Sequence, residues 1–107
     1  MKVSLISSLA GDVILVRADK RLDLLAYGCI DEVAELAEKN PSSEAIIIDL
    51  GGTRELFDSG KATLLAMRER AGRLKSRIYL ANLTLEMKRK LSQGKFPILF
   101  NIIGHGK

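Results

Sequence analysis

Apolar residues alternate with others at Val3 and Leu5, and again at Val13 and Leu15 with Ile14 and Val16 facing the opposite way. This period of two predicts a pair of strands joined at Ala10-Gly11-Asp12, and so short a connection makes the pair antiparallel. From Leu24 the spacing changes. Ala26, Ile30, Val33, Leu36 and Ala37 recur at three and four residues, with Asp31, Glu32, Glu35 and Glu38 on other faces. That is an amphipathic helix, with Asp23 as its N-cap, an end at Asn40-Pro41 and a surface loop at Ser42-Ser43. Leu25, Cys29 and Val33 share one line along it, so Cys29 reads as a small buried or boundary residue rather than a nucleophile.

The run Ala45-Ile46-Ile47-Ile48-Asp49-Leu50 predicts a strand covered on both faces, and therefore one in the middle of a sheet. Gly51-Gly52-Thr53 breaks it. The next helix runs from about residue 59 to residue 73, with Asp58 as N-cap and Leu64, Met67, Ala71 and Leu74 as its inward stripe. Ile78-Tyr79-Leu80-Ala81 is another strand. Residues 84–93 form a third helix with Leu83, Met87 and Leu91 inward, stopped by Gly94. Residues 96–103 are a last apolar segment, partly strand, and residues 104–107 a frayed tail.

The order ββαβαβα plus a terminal strand predicts one α/β domain over residues 1–107. Its mixed sheet has four to five strands, mostly parallel at the centre, with helices packed on the sheet through right-handed crossovers. Functional loops of open α/β sheets lie beyond the carboxyl ends of parallel strands. The loop from Gly51 to Asp58, which follows the most apolar strand, is therefore the place to look.

Composition narrows the chemistry. A chain of 107 residues buries roughly 60 to 70 per cent of its unfolded surface and needs no staple. With one cysteine and one histidine, His105 in a Gly-flanked stretch, no internal disulfide, metal cluster, Ser/His/Asp triad or Cys/His pair can be assembled. No run approaches the ~20 apolar residues of a membrane span, and Met1-Lys2-Val3-Ser4 leads into no signal-peptide core. The expectation is a cytoplasmic protein without membrane insertion. The net charge of +4 comes largely from Arg68, Arg70, Arg73, Lys75 and Arg77 and from Lys88, Arg89, Lys90 and Lys95. Both groups sit on predicted helices or at their ends, where cations complement the helix dipole, and no aromatic residues interleave them for base stacking. Direct nucleic-acid binding is not expected; an acidic protein partner fits the same charge.

One run stands out: Phe57-Asp58-Ser59-Gly60-Lys61 places a serine where strand and loop turn into a helix. First-turn N–H groups lack helical partners and the macrodipole is positive there, so a phosphate on that serine is electrostatically favoured. The plainer reading makes Ser59 an ordinary first-turn residue, with Asp58 and Asp23 as caps. Gly60-Lys61 resembles the end of a nucleotide-binding P-loop, but Glu55 occupies the first glycine position and Ala62 that of the magnesium-binding hydroxyl. No cofactor is expected.

These residues together resemble the STAS family, named for sulfate transporters and anti-sigma factor antagonists, and within it the small bacterial anti-anti-sigma factors. The resemblance covers nearly the whole chain. It rests on Ile46-Ile47-Ile48-Asp49-Leu50, on Gly60 after a loop of the family's length with Leu64-Leu65 behind it, on the stretch Leu80 to Met87, and on Leu22-Asp23 before the first helix. The family's loop carries Asp-Ser-Ser-Gly. Aligned without a gap, Phe57 stands on the Asp, Asp58 on the first Ser and Ser59 on the second. With one gap Asp58 becomes the family Asp and one Ser is missing. Lys61 replaces an apolar residue in either case.

The resemblance implies a non-enzymatic anti-sigma factor antagonist working in a partner switch. Ser59 is the implied phosphoacceptor, and Asp23, Asp58, Ser59 and Lys61 form the implied partner surface. The implied partners are an anti-sigma factor that is also a serine kinase, bringing its own ATP, and a phosphoserine phosphatase. The alternative is a non-switching STAS adaptor docked on a transporter ATPase or other signalling complex, which Phe57 and Lys61 favour. A third reading is a small enzyme using Ser59 or Cys29.

Overall fold

The computed structural model describes residues 1–92 and 100–104. Strands β1 (Lys2–Ser8) and β2 (Gly11–Arg17) pair antiparallel, from Lys2 opposite Arg17 to Ser8 opposite Gly11. Their tight turn depends on Gly11, whose φ of +129° is strained for any residue with a Cβ. The chain then forms a two-residue strand β3 (Arg21–Leu22), a 3₁₀ segment (Leu24–Cys29) and helix α1 (Ile30–Lys39). Next come β4 (Ser43–Asp49), the short β5 (Glu55–Leu56) and α2 (Asp58–Arg70). A second 3₁₀ segment (Gly72–Arg77), β6 (Ile78–Ala81), α3 (Leu85–Leu91) and β7 (Asn101–Ile103) complete the described chain.

The main sheet has five strands in the order β1-β2-β4-β6-β7, with the β2–β4, β4–β6 and β6–β7 pairs parallel. The mixed α/β sheet expected from the residue pattern is therefore present, and its isoleucine-rich strand is central. β3 and β5 form a separate parallel pair, Arg21 beside Glu55 and Leu22 beside Leu56. Two-residue strands are too short for a period-two pattern to reveal, and the sequence reading did not contain them.

The core lies on one face. Ile14, Val16, Ile46, Ile48, Ile78 and Leu80 point from the sheet into a cluster with Val33, Leu64, Met67, Leu74, Leu83 and Met87. Each such side chain contributes about 1.5–3 kcal/mol relative to exposure. The inward stripes expected on the second and third helices are all buried: Leu64, Met67, Ala71 and Leu74, and Leu83, Met87 and Leu91. The expectation that β4 is covered on both faces is overturned, because Ile47 is only half-buried, in register with the equally half-buried Leu15 and Tyr79. Three consecutive isoleucines place a strand centrally, but they do not say how many layers cover it.

Other boundaries shift for local reasons. The first predicted helix begins with a 3₁₀ turn and becomes α-helical only at Ile30, and Leu25, expected on its inward line, is 89% exposed. A 3₁₀ turn has about three residues per turn, so the four-residue spacing that would have buried Leu25 does not apply. The second helix ends at Arg70, not near residue 73. Ser43, expected in a surface loop, is the buried first residue of β4. The predicted end of the third helix at Gln93-Gly94, the first part of the last apolar segment and residues 105–107 lie outside the described residues.

A paired substitution checks the one-sided core. Ile48→Ala should lower unfolding free energy by about 2–5 kcal/mol in urea, whereas Ile47→Ala should cost less than about half as much. Equal losses would mean that the second face is covered as well.

Candidate functional site

The loop after β4 is held at its start by Asp49. Asp49 Oδ1 accepts hydrogen bonds from the Gly51 N–H at 2.8 Å and from Asn82 Nδ2 at 3.1 Å. Asn82 adopts the left-handed region, φ 60°, a conformation in which Asn is among the tolerated residues. Further along, the buried Thr53 donates from Oγ1 to the Asp19 carbonyl at 2.8 Å. The N–H groups of Arg54 and Glu55 both donate to the Lys20 carbonyl, at 2.8 and 3.0 Å, and that of Phe57 donates to the Leu22 carbonyl at 3.1 Å. The loop is thus laced along residues 19–22, which builds the β3–β5 pair.

That lacing brings α2 hard against β3. A Cβ at Gly60 would lie 2.1 Å from the Leu22 carbonyl oxygen and 2.6 Å from its carbon. Only glycine permits this approach. Asp23 follows Leu22 directly, so its turn sits beside the first turn of α2. There it is the N-cap of the 3₁₀ segment, its Oδ1 accepting from the Leu25 N–H at 3.0 Å. The capping role expected of Asp23 is present, although it caps a 3₁₀ turn.

Asp58 is not a cap. The N-cap of α2 is Phe57, extended at φ −99° and ψ 162°, whose carbonyl accepts from the N–H groups of Gly60 at 2.9 Å and Lys61 at 3.1 Å. Asp58 instead occupies the first helical turn, exposed, where its charge is favoured by the helix dipole. The helix starts one residue earlier than predicted because the Phe57 carbonyl already accepts the Lys61 N–H, which makes Phe57 the N-cap. Phe57 gives this turn no side-chain cap, and Ser59 lies half-buried within it. The Ser59 carbonyl accepts from Thr63 Oγ1 at 2.9 Å. Lys61, half-buried, lies two positions along. Asp23, Asp58, Ser59 and Lys61 therefore share one corner of the molecule, at the carboxyl edge of the sheet.

The sequence reading missed the apolar part of this corner. Leu24 is 66% exposed, Leu25 89% and Phe57 37%, and the 3₁₀ turn that carries the two leucines packs against α2. The Arg21 guanidinium stands 5.1 Å above the Phe57 ring and 3.9 Å from Asp23 Oδ2. A signal for the leucines existed: adjacent Leu24 and Leu25 cannot both face one side of a helix. A cavity of about 210 Å³ opens between Thr53, Arg54 and the start of α3, but none of the four expected site residues lines it. Among the described residues, no group of three or more His, Cys, Asp or Glu side chains could hold a metal ion, and no helix is long and apolar enough to cross a membrane.

No protein-family model matches the sequence, and no curated protein matches it. Among solved structures, the chain is similar to that of the anti-sigma factor antagonist SpoIIAA in its unphosphorylated form. The match has a TM-score of 0.64 at 16% identity and covers 95% of this chain and 87% of that one. The chain has the STAS-like fold of an anti-sigma factor antagonist: a mixed five-stranded sheet with helices packed on it.

The Gly60–Leu22 approach can be tested on its own. Gly→Ala inside a helix ordinarily stabilises by roughly 0.5–1 kcal/mol. Gly60→Ala should instead destabilise by about 1–3 kcal/mol in chemical denaturation, since the new methyl must push backbone aside. A stabilised variant would refute the close packing of α2 on β3.

Proposed function

We propose that this chain, acting as a single domain in the bacterial cytoplasm, is an anti-sigma factor antagonist that works by partner switching. Its unmodified form binds a kinase-type anti-sigma factor, and phosphorylation of Ser59 releases it. The observation that carries the reading is the corner just described: an uncapped helix start bearing Ser59, ringed by exposed Leu24, Leu25 and Phe57 on the fold of an anti-sigma factor antagonist.

The physics of the switch follows from that geometry. Exposed leucines and an aromatic ring provide apolar area for a partner, and burying Leu24, Leu25 and Phe57 would each contribute on the order of 1.5–3 kcal/mol before association costs. Phosphate at Ser59 adds about −1.5 to −2 charges and three acceptor oxygens. In the free protein the helix dipole and Lys61 accommodate them, while Asp58 opposes them weakly across solvent. Inside an interface the same group must be desolvated next to Asp58, which favours dissociation. A change of about 4 kcal/mol is roughly a thousandfold in affinity. The chain itself contributes no catalysis; the kinase partner brings ATP, and a phosphoserine phosphatase resets the switch.

A non-switching adaptor docked on a transporter ATPase is the second reading. The Arg21–Phe57 stack favours it, since it fills the acceptor loop with a cation and a ring.

Two experiments decide. Incubated with a kinase-type anti-sigma factor and ATP, the chain should gain one phosphate, mapped by mass spectrometry to Ser59. Ser59→Asp should then bind that factor at least about a hundredfold more weakly than Ser59→Ala, a difference of ~2.7 kcal/mol. Equal binding of the two variants, or no phosphate on Ser59, rejects the switch. Separately, Leu25→Ala should change unfolding free energy by less than about 0.5 kcal/mol yet weaken partner binding about tenfold or more. Unchanged binding would place the interface elsewhere.

A further inference from the structure

The amino ends of β4 and β6, at the edge of the sheet opposite Ser59, frame an open cavity of about 370 Å³. Its lining includes Ser42, Ser43, Ser76, Arg73, Arg77 and Glu44. Three features make it more than a surface dent.

The first is a held cation. Arg73 Nη2 donates to the carbonyls of Ala37 at 2.8 Å and Asn40 at 3.3 Å, and Nη1 donates to that of Pro41 at 3.1 Å. These bonds orient the guanidinium without removing its charge, and it carries more N–H donors than three carbonyls take up. The second is a free cation: Arg77, exposed just before β6, has no hydrogen-bond or ion-pair partner among the described residues. The third is an orphan. Ser43 is 3% exposed, and among the described residues its Oγ is the one buried side-chain oxygen or nitrogen without a hydrogen-bond partner. Buried hydroxyls are normally satisfied, so an unmatched one on a residue that lines the same cavity as Arg73 and Arg77 points to a missing acceptor.

Two carboxylates stand at the β2 side of the cavity, and each has its own neighbour there. The Glu44 carboxyl carbon lies 2.9 Å from where a Gly11 Cβ would sit, so this side chain leans toward β2 and away from the β6 side that bears Arg77. The Asp12 carboxylate accepts from Ser42 Oγ at 2.9 Å.

We propose that this cavity binds the phosphate group of a small molecule, either inorganic phosphate or a small phosphate monoester. Arg73 and Arg77 supply charge and forked N–H donors, and the hydroxyls of Ser43 and Ser76 complete the shell, that of Ser42 being committed to Asp12. The site is independent of the Ser59 corner, because the seven residues of β4 separate the two by about 20 Å.

The test is a ¹H–¹⁵N NMR titration of the full chain with sodium phosphate, a parallel one with AMP, and a sodium chloride control at matched ionic strength. Saturable shifts should concentrate at Ser42, Ser43, Ser76 and Arg77 and be absent with chloride. The tighter of the two ligands then identifies free anion or monoester as the class bound. Arg77→Gln should weaken binding at least tenfold, whereas Lys75→Gln, outside the lining, should not. Ser43→Ala should weaken binding while leaving the melting temperature of the unliganded protein equal or higher, because no hydrogen bond is lost. Non-saturating shifts, an equal response to chloride, or unchanged affinity in Arg77→Gln would overturn the proposal. A lower melting temperature in Ser43→Ala would overturn its premise of an orphan hydroxyl.

Discussion

The Leu22 carbonyl oxygen accepts the Phe57 N–H and lies so close to Gly60 that no larger residue fits without displacement. This one backbone contact decides where the start of α2 docks. With the Phe57 N–H committed to Leu22 and its carbonyl committed to Gly60 and Lys61, the helix has to start at Asp58. Ser59 then lies half-buried in the first turn, and the turn of Asp23, next to Leu22, comes beside that first turn. The core on the other side of α2, Leu64 and Met67 against Ile46 and Ile48, holds the helix down. Burial supplies the energy, and the Leu22–Gly60 contact sets the registration.

Two electrostatic arrangements at opposite ends of β4 share a logic. At the carboxyl edge, an uncapped helix start offers N–H groups and a dipole that tolerate an anion. At the amino edge, Arg73 gathers the last carbonyls around the end of α1 and holds its charge next to Arg77. In the basic run from Arg68 to Arg77, Arg70 pairs with Asp31 at 2.8 Å and Arg73 closes a helix end. Part of that run is therefore helix-end and ion-pair chemistry.

Much of the fold was legible from periodicity. The spacing of Val33, Leu64, Met67, Leu83 and Met87 placed their buried faces correctly, because the burial of an amphipathic helix follows from its own pattern once a core exists to receive it. The three isoleucines located the central strand for a similar reason. Asp23 was legible as a cap because capping is local. The position of Ser59 before Gly60 at a helix start could also be read directly.

What the chain alone left open depended on contacts distant in sequence. Asp58 looked like a cap because caps are recognised by residue type, whereas the N-cap is Phe57, whose extended backbone is tied to Leu22, more than thirty positions away. The exposure of Leu25, the one-sided cover of Ile47 and the burial of Ser43 likewise turn on which neighbour arrives. The sequence by itself determined the order of elements, the buried stripes and a serine at a helix start, since each is set by interactions within a few residues. Only the tertiary structure decided which side chains share the Ser59 corner and which share the pocket at the opposite edge, since both are assembled by long-range backbone hydrogen bonds and strand register that no local pattern encodes.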